Sequence, residues 1–481
     1  MGILSLRFFL FSGAVLLVYY VLPSQKQNYW LLLASYFFYL TWAWEFALTL
    51  AILTLITYFT ALRMGREDGQ RTGTLWLGIG FNLVALLFFR LNEFFLPEFL
   101  EWISGAGAKF NLTSLNWIIP VGLSFYILQN ISYLVDVSRK QILPSTNLVD
   151  FGLYLAYFPK LVAGPIERAR TFLPKLARPR IVYDEQLARS LVLIIVGLLR
   201  KVVIADSLLA GTPGRILEQP IHYSAIELWG WLVIYAFALY NDFAGYTSIV
   251  RGVSGLFGIE LSPNFNLPYF SHNFSEFWGR WHMTLSQWLR DYLFSPLTRS
   301  LMRRTPNRQN LLVVWLPPLV TMLISGLWHG IGWNMVLWGA VYGVYLSAQR
   351  LLSLRQASLS QARLPGARPF WRQGLSMLLT FGLVTLAWVP FRLELPAALQ
   401  YWQGLFRWEY MGMAYPRELK VGLVFLVPII LLDWLQWRYQ DEVFIFRWPR
   451  LIQAVVLASV LFLIFLGSAL DGAPPFVYQG F

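Results

Sequence analysis

Four histidines and no cysteine set the chemistry open to this 481-residue chain. Without a thiol there is no disulfide, no thiolate metal site and no transfer through an enzyme-bound cysteine thioester. Proton transfer falls to His222, His272, His282 and His329. His329 stands in Ser325-Gly326-Leu327-Trp328-His329-Gly330, after an apolar run that begins at Leu311 and before Gly332-Trp333-Asn334. An ionisable side chain at membrane depth is costly against lipid, so it is expected to face the protein interior or a cavity, and a functional role is the first hypothesis. The alternative is a buried histidine bonded to a neighbouring helix, with Gly326 and Gly330, four apart, marking close helix packing.

A second constellation is Glu276-Phe277-Trp278-Gly279-Arg280-Trp281-His282-Met283-Thr284-Leu285-Ser286-Gln287-Trp288-Leu289-Arg290-Asp291-Tyr292. Read as one helix, it carries His282, Ser286 and Arg290 at i, i+4 and i+8, and Glu276 and Arg280 at i and i+4. Polar groups then occupy more than one face, so the helix lines a cavity or lies at the interface with its tryptophans as anchors. Asn241-Asp242-Phe243-Ala244-Gly245-Tyr246 and Gly164-Pro165-Ile166-Glu167-Arg168 read by themselves as helix ends or turns. Asp242 is expected to pair with an arginine such as Arg280. His222 and His272 have no supporting context. His282 and His329 lie 47 positions apart, and there is no HExxH, P-loop, dinucleotide fingerprint or serine-hydrolase elbow.

The elements that must hold these residues are set by composition. Charged residues make up 13% of the chain and hydrophobic ones 57%, with a mean hydropathy of +0.53. A soluble domain is about a quarter charged. Long apolar runs predict roughly eleven to thirteen membrane helices, against the short alternating strands of a barrel. Residues 4–22 are expected to remain as the first helix, since no signal-peptide cleavage site follows them. Scaffold helices are expected near 28–62 and 75–97, and the site in the stretch 159–334, where polar residues and Gly/Pro breaks interrupt apolar sequence. The net charge of +13 sits in short loops, as membrane orientation requires, and does not point to nucleic acid. Basic stretches at 350–372 and 438–450 are expected in the cytoplasm, so the last helix, 451–470, delivers residues 471–481 outside. No repeat or linker is visible, and residues 1–481 are treated as one domain.

Asp242, Asn264-Phe265-Asn266-Leu267-Pro268-Tyr269, Glu276 through His282, Arg290-Asp291-Tyr292 and Gly326-Leu327-Trp328-His329-Gly330, in this order and spacing, resemble the membrane-bound O-acyltransferase family. Within it the chain looks most like the bacterial alginate O-acetyltransferase subgroup of cell-surface polysaccharide acetylation. The similarity covers most of the chain, with its motifs between about 150 and 345. It implies an all-α polytopic fold whose helices ring a thinned centre, with the catalytic histidine in a tunnel open to both sides. On this resemblance His329 matches the essential family histidine, His282 the second motif histidine of the bacterial branch, and Gly164-Pro165-Ile166 a further motif. Arg280, Trp281, Asp242, Asp291, Trp328 and Asn334 are the accompanying substrate-binding candidates. The terminal Phe476-Val477-Tyr478-Gln479-Gly480-Phe481 resembles the Phe-x-Tyr-x-x-Phe end of this subgroup and of the small partner protein in teichoic acid D-alanylation. There the tyrosine is thought to accept the acyl group; read alone, Tyr478 is an interfacial aromatic. Two departures leave the polymer and partner open: Tyr342 precedes Gly343 where another histidine is expected, and Ser295-Pro296-Leu297 leads into Thr298-Arg299-Ser300 instead of a glycine-rich loop.

The implied chemistry needs no bound cofactor. A cytoplasmic acetyl thioester, with acetyl-CoA as the expected donor, is attacked by a hydroxyl whose proton His329 removes. His282, Arg280 and Asn334 are alternatives for steadying the oxyanion. In a relay, Tyr478 supplies the hydroxyl, and an extracytoplasmic SGNH-like acetyltransferase passes the group to a polysaccharide. The expected location is the bacterial cytoplasmic (inner) membrane, as a multi-pass protein in the lipid bilayer. The rivals are D-alanyl transfer to teichoic acid and a transporter or flippase; transporters commonly show two related halves, and none is visible.

Overall fold

The computed structural model describes residues 1–66, 71–105, 119–307, 309–359, 369–407 and 417–468. These are helices and connecting loops, with no strand among the described residues. Among the described residues, six helices are long and apolar enough to cross a bilayer: Trp44–Arg66, Arg71–Leu91, Leu311–His329, Phe370–Arg392, Leu419–Tyr439 and Arg450–Gly467. Leu6–Val21 is apolar but shorter. Several other apolar runs are cut by the fold. The run expected over 28–62 is two helices, Ser24–Leu40 and Trp44–Arg66, parted at a turn in which the Trp42 N–H donates to the Tyr39 carbonyl at 3.1 Å and the Thr41 hydroxyl to the Phe38 carbonyl at 2.7 Å. Large apolar side chains such as Leu17 and Phe465, both at least 70% exposed, point outward. Water does not tolerate so much exposed apolar surface, and a multi-pass membrane protein explains it.

The described residues form two compact units. The first comprises Met1–Leu191 and Val250–Ser262. Its core is aromatic: Phe8 meets Phe38 at 5.7 Å, and Phe11 meets Phe158 at 5.3 Å. Between the helices Leu148–Ala156 and Ala169–Ala177 the chain runs through a buried, mostly non-helical stretch. It survives burial because its polar groups are met one by one. Phe158 N–H donates to Ser35 Oγ at 3.0 Å, Lys160 Nζ donates to Gln129 Oε1 at 2.6 Å, and the Glu167 carboxylate accepts from the Ser262 N–H at 2.6 Å. Gly122, at φ +83°, lies so close to the Leu161 carbonyl that a Cβ would approach it to 2.2 Å. Gly164-Pro165-Ile166 belongs to this stretch, which makes it a packed loop element.

The second unit comprises Val192–Ile249 and Pro263–Phe481. Its described helices include the π-helical turn Leu199–Ala205, the first part of Ala225–Leu256, Phe274–Arg280, Met283–Leu289, the membrane-length pair Leu311–His329 and Phe370–Arg392, and Trp333–Leu359. The chain leading into Leu199–Ala205 meets the Ala225–Leu256 helix through two glycines, Gly197 and Gly245. A Cβ on Gly245 would lie 2.7 Å from the Gly197 carbonyl and 2.8 Å from the Lys201 amide. That contact brings two consecutive basic residues into the protein interior.

Candidate active site

His329 is the last residue of Leu311–His329, whose start is capped by Asn310, its side chain accepting from the Leu312 N–H at 2.9 Å. Glycine lets the following helix, Trp333–Leu359, close on it. A Cβ on Gly326 would fall 2.3 Å from the Met335 carbonyl oxygen, and one on Gly339 would fall 2.5 Å from the Met322 carbonyl oxygen. Of the glycine pair singled out in the sequence, Gly326 makes the close approach; a Cβ on Gly330 would meet only the Met335 side chain, at 3.4 Å. A Gly-lined crossing of this kind holds backbones rigidly together. His329 is 2% exposed. Three rings meet its imidazole edge to face: Trp328 at 4.9 Å, Trp338 at 5.3 Å and Phe391 at 5.3 Å. Trp388 and Tyr342 back them, Trp388 meeting Phe391 at 5.5 Å and Tyr342 meeting Trp338 at 5.2 Å. His329 therefore sits in a buried aromatic enclosure, where polar interactions are strengthened by the low dielectric.

The segment expected as one helix over 276–292 is broken at Trp281 and His282. Phe274–Arg280 ends, His282 adopts φ +41°, and Met283–Leu289 begins anew, followed by a π-helical turn over Arg290–Phe294. The cause is the 264–266 loop, which takes over backbone bonds that a continuous helix would use. Asn266 N–H donates to Arg280 O at 2.9 Å, Met283 N–H to Asn264 O at 2.8 Å, and the Thr284 hydroxyl to Asn264 Oδ1 at 2.7 Å. His282 and Ser286 are thus the cap and body of a new helix, with Arg290 beyond it in the π-turn. His282 is 1% exposed, and burial pushes its pKa down to about 3, so it is neutral near pH 7. Its ring meets Phe243 at 4.8 Å and Trp328 at 6.3 Å. Trp328 meets both histidine rings, His329 more closely, at 4.9 Å.

The expected pairing of Asp242 with Arg280 is corrected. Asp242 meets Lys201 at 2.6 Å, and Arg280 pairs with Glu276, one helical turn away, at 2.7 Å. Lys201 also reaches Asp206 at 2.5 Å. Beside it Arg200 bonds Asn241 at 2.8 Å, Asp433 at 2.5 Å and Gln436 at 3.0 Å. Asp242 is thus part of a buried ionic network. Trp281 lies in the aromatic core, 4.8 Å from Trp388 and 5.1 Å from Phe265. Asp291 pairs with its neighbour Arg290 at 3.3 Å, and Asn334, half-buried, would obstruct a Cβ on Gly332. His222 is exposed on a short turn; His272 Nδ1 lies 3.2 Å from the Gln373 carbonyl. Tyr478 lies outside the described residues. No cluster that could hold a metal occurs among the described residues.

Trp338, Phe391, Arg200, Lys201 and Asp433 were missed in the sequence. The charged ones carried a signal, since Arg200-Lys201 and Asp433 interrupt apolar runs where an ionisable residue is expensive. The aromatic ones carried none, because 17% of the chain is aromatic. A cavity of about 310 Å³ in this unit is lined by residues that include Trp278, Ser286, Arg290, Met322, Gln349 and Arg350. Trp278 joins it to the histidine enclosure through ring contacts with Tyr342 at 5.0 Å and Trp338 at 5.9 Å.

A family model described as the membrane-bound O-acyltransferase family matches residues 33–381. The chain is 33% identical over 434 residues to a protein of Pseudomonas aeruginosa named probable alginate O-acetylase AlgI, covering 88% of this chain and 79% of that one. It is 32% identical over 434 residues to a Helicobacter pylori peptidoglycan O-acetyltransferase, covering 82% and 78%. It is 28% identical over 286 residues to a Streptococcus thermophilus teichoic acid D-alanyltransferase, covering 56% and 68%.

Proposed function

The chain belongs to the membrane-bound O-acyltransferase family, and from that premise we propose that it transfers acetyl groups from acetyl-CoA across the cytoplasmic membrane of a bacterium to a polysaccharide outside. The observation that carries this reading is the enclosure of His329 by Trp328, Trp338 and Phe391 at the end of a membrane-length helix. A hydroxyl attacks a thioester poorly at its own pKa, and a positioned imidazole contributes about 10² to 10⁴ in rate. The enclosure keeps water, the competing nucleophile, from the acyl group.

The donor assignment is supported by the cavity beside Trp278. Its walls carry Arg290 and Arg350, and the Arg350 Nη1 has no hydrogen-bond partner among the described residues. Such a site suits a phosphorylated thioester. Polysaccharide acetylation is supported by the relatives, which are named for acetylating alginate and peptidoglycan. Tyr478 is the proposed relay: it takes the acetyl group from the donor and yields it to an SGNH-like acetyltransferase on the outer side.

The test is mass spectrometry of the purified protein after incubation with labelled acetyl-CoA. Wild type is expected to gain one acetyl group on Tyr478 and His329→Ala none, at unchanged membrane insertion. A labelled His329→Ala protein would overturn the base assignment.

A further inference from the structure

We propose that the indole N–H of Trp338 is the donor that stabilises the oxyanion of the transfer reaction, an inference that rests on the acyl-transfer reading above. Trp338 is 1% exposed, and its Nε1 is buried with no hydrogen-bond partner among the described residues. A buried indole N–H usually finds an acceptor, and leaving one unmet costs about 1–3 kcal/mol. This orphan donor belongs to a ring that touches the catalytic imidazole, at 5.3 Å between centroids and 81° between planes. Its position is fixed from several sides, by Tyr342 at 5.2 Å, Phe391 at 5.5 Å and Trp278 at 5.9 Å. The glycine crossing at Gly326 and Gly339 locks the helices that carry His329 and Trp338 together. Oxyanion stabilisation rewards this condition, a donor that need not reorganise when charge develops.

The other candidates suit the role less well. Arg280 is engaged with Glu276, both side chains about a quarter exposed (28% and 26%). The His282 ring packs on Phe243 at 4.8 Å and on Trp328 at 6.3 Å, and unlike an indole it can itself take up a proton. Asn334 is only half-buried. A neutral indole also costs less to desolvate than a guanidinium and takes no part in the proton balance at His329.

The hydroxyl oxygen bonds to the thioester carbon, and its proton passes to His329. The carbonyl π pair moves onto the oxygen, which accepts the hydrogen bond from Trp338 Nε1. The pair then returns, the C–S bond breaks with its electrons on sulfur, and the thiolate takes the proton from His329.

The test is Trp338→Phe, which keeps a packed ring and removes the N–H. The rate constant kcat is expected to fall about 10²- to 10³-fold, with KM for acetyl-CoA changed by less than about twofold. The shape of the pH–rate profile is expected to stay as in wild type, because no titrating group is lost. A kcat within about threefold of wild type overturns the proposal, as does a loss confined to KM. If the phenylalanine variant fails to fold, site-specific benzothienylalanine at 338 keeps the bicyclic shape and replaces N–H by sulfur, with the same two outcomes. Folded wild type that transfers no acetyl group refutes the acyl-transfer reading itself, a result distinct from an active wild type with a silent Trp338 substitution.

Discussion

Gly326→Ala is the sharpest test of how the fold positions His329. The added Cβ would lie 2.3 Å from the Met335 carbonyl oxygen and 3.5 Å from the Gly339 amide nitrogen. A carbon and a carbonyl oxygen approach to about 3.3 Å at closest without strain, so the two helices must part by about 1 Å. The obstacle is backbone, which cannot swing aside as a side chain does. Overpacking of this kind costs about 1–3 kcal/mol, and the displacement is passed to His329 less than one turn further along the helix. A misplacement of about 1 Å at a reacting group lowers rate by about 10²-fold. Gly330→Ala is the matched control: its Cβ would meet only the Met335 Cγ at 3.4 Å, and its φ of −177° is open to any residue. Acetyl transfer from labelled acetyl-CoA, with thermal unfolding in detergent measured in parallel, separates the two. The expected result is a loss of about 10²-fold for Gly326→Ala and less than about threefold for Gly330→Ala. Equal activities, or the reverse order, would refute the claim that the glycine crossing sets the position of His329.

Lys201→Met strands the buried Asp242 and Asp206 carboxylates without their cation and is expected to destabilise the protein by about 3–5 kcal/mol. Thermal unfolding should show this, with partial recovery in Lys201→Met/Asp242→Asn; an unshifted Tm would contradict it. His282, with its pKa near 3 when folded and about 6.5 when unfolded, binds its proton more readily in the unfolded chain. Its contribution to stability is therefore complete above about pH 6.5 and is lost as pH falls toward 3, by about 2–3 kcal/mol at pH 4.5. His282→Asn, which tolerates the left-handed backbone at φ +41°, should flatten that dependence in melts between pH 7 and 4.5, while His282→Val, strained at the same φ, should be equally flat and melt below His282→Asn at every pH. Tyr478→Phe should abolish acetyl labelling of the protein and transfer to an extracytoplasmic partner; wild-type transfer by this variant would leave Tyr478 as an interfacial anchor only.

Much of this protein is legible in its sequence because lipid is a demanding solvent. Scarce charge and long apolar runs allow only helices, so the all-α polytopic architecture followed from composition. The order of short motifs around His282 and His329 was enough to indicate the family that the wider comparisons support. His329 was a candidate for a reason local to it, an ionisable side chain closing an apolar run. The relations between residues far apart in the chain were not legible. That Asp242 faces Lys201 and not Arg280 depends on Gly197 and Gly245 meeting across two helices. Helical periodicity made 276–292 continuous, but the loop at Asn264–Asn266 outbids the intrahelical bonds and breaks it at His282. Trp338 and Phe391 looked like any aromatic residue of an apolar chain, and only packing brought them onto His329. Local propensity and solvent preference are properties of a sequence window, whereas a site is defined by contacts between windows, and those exist only once the backbone has closed on itself.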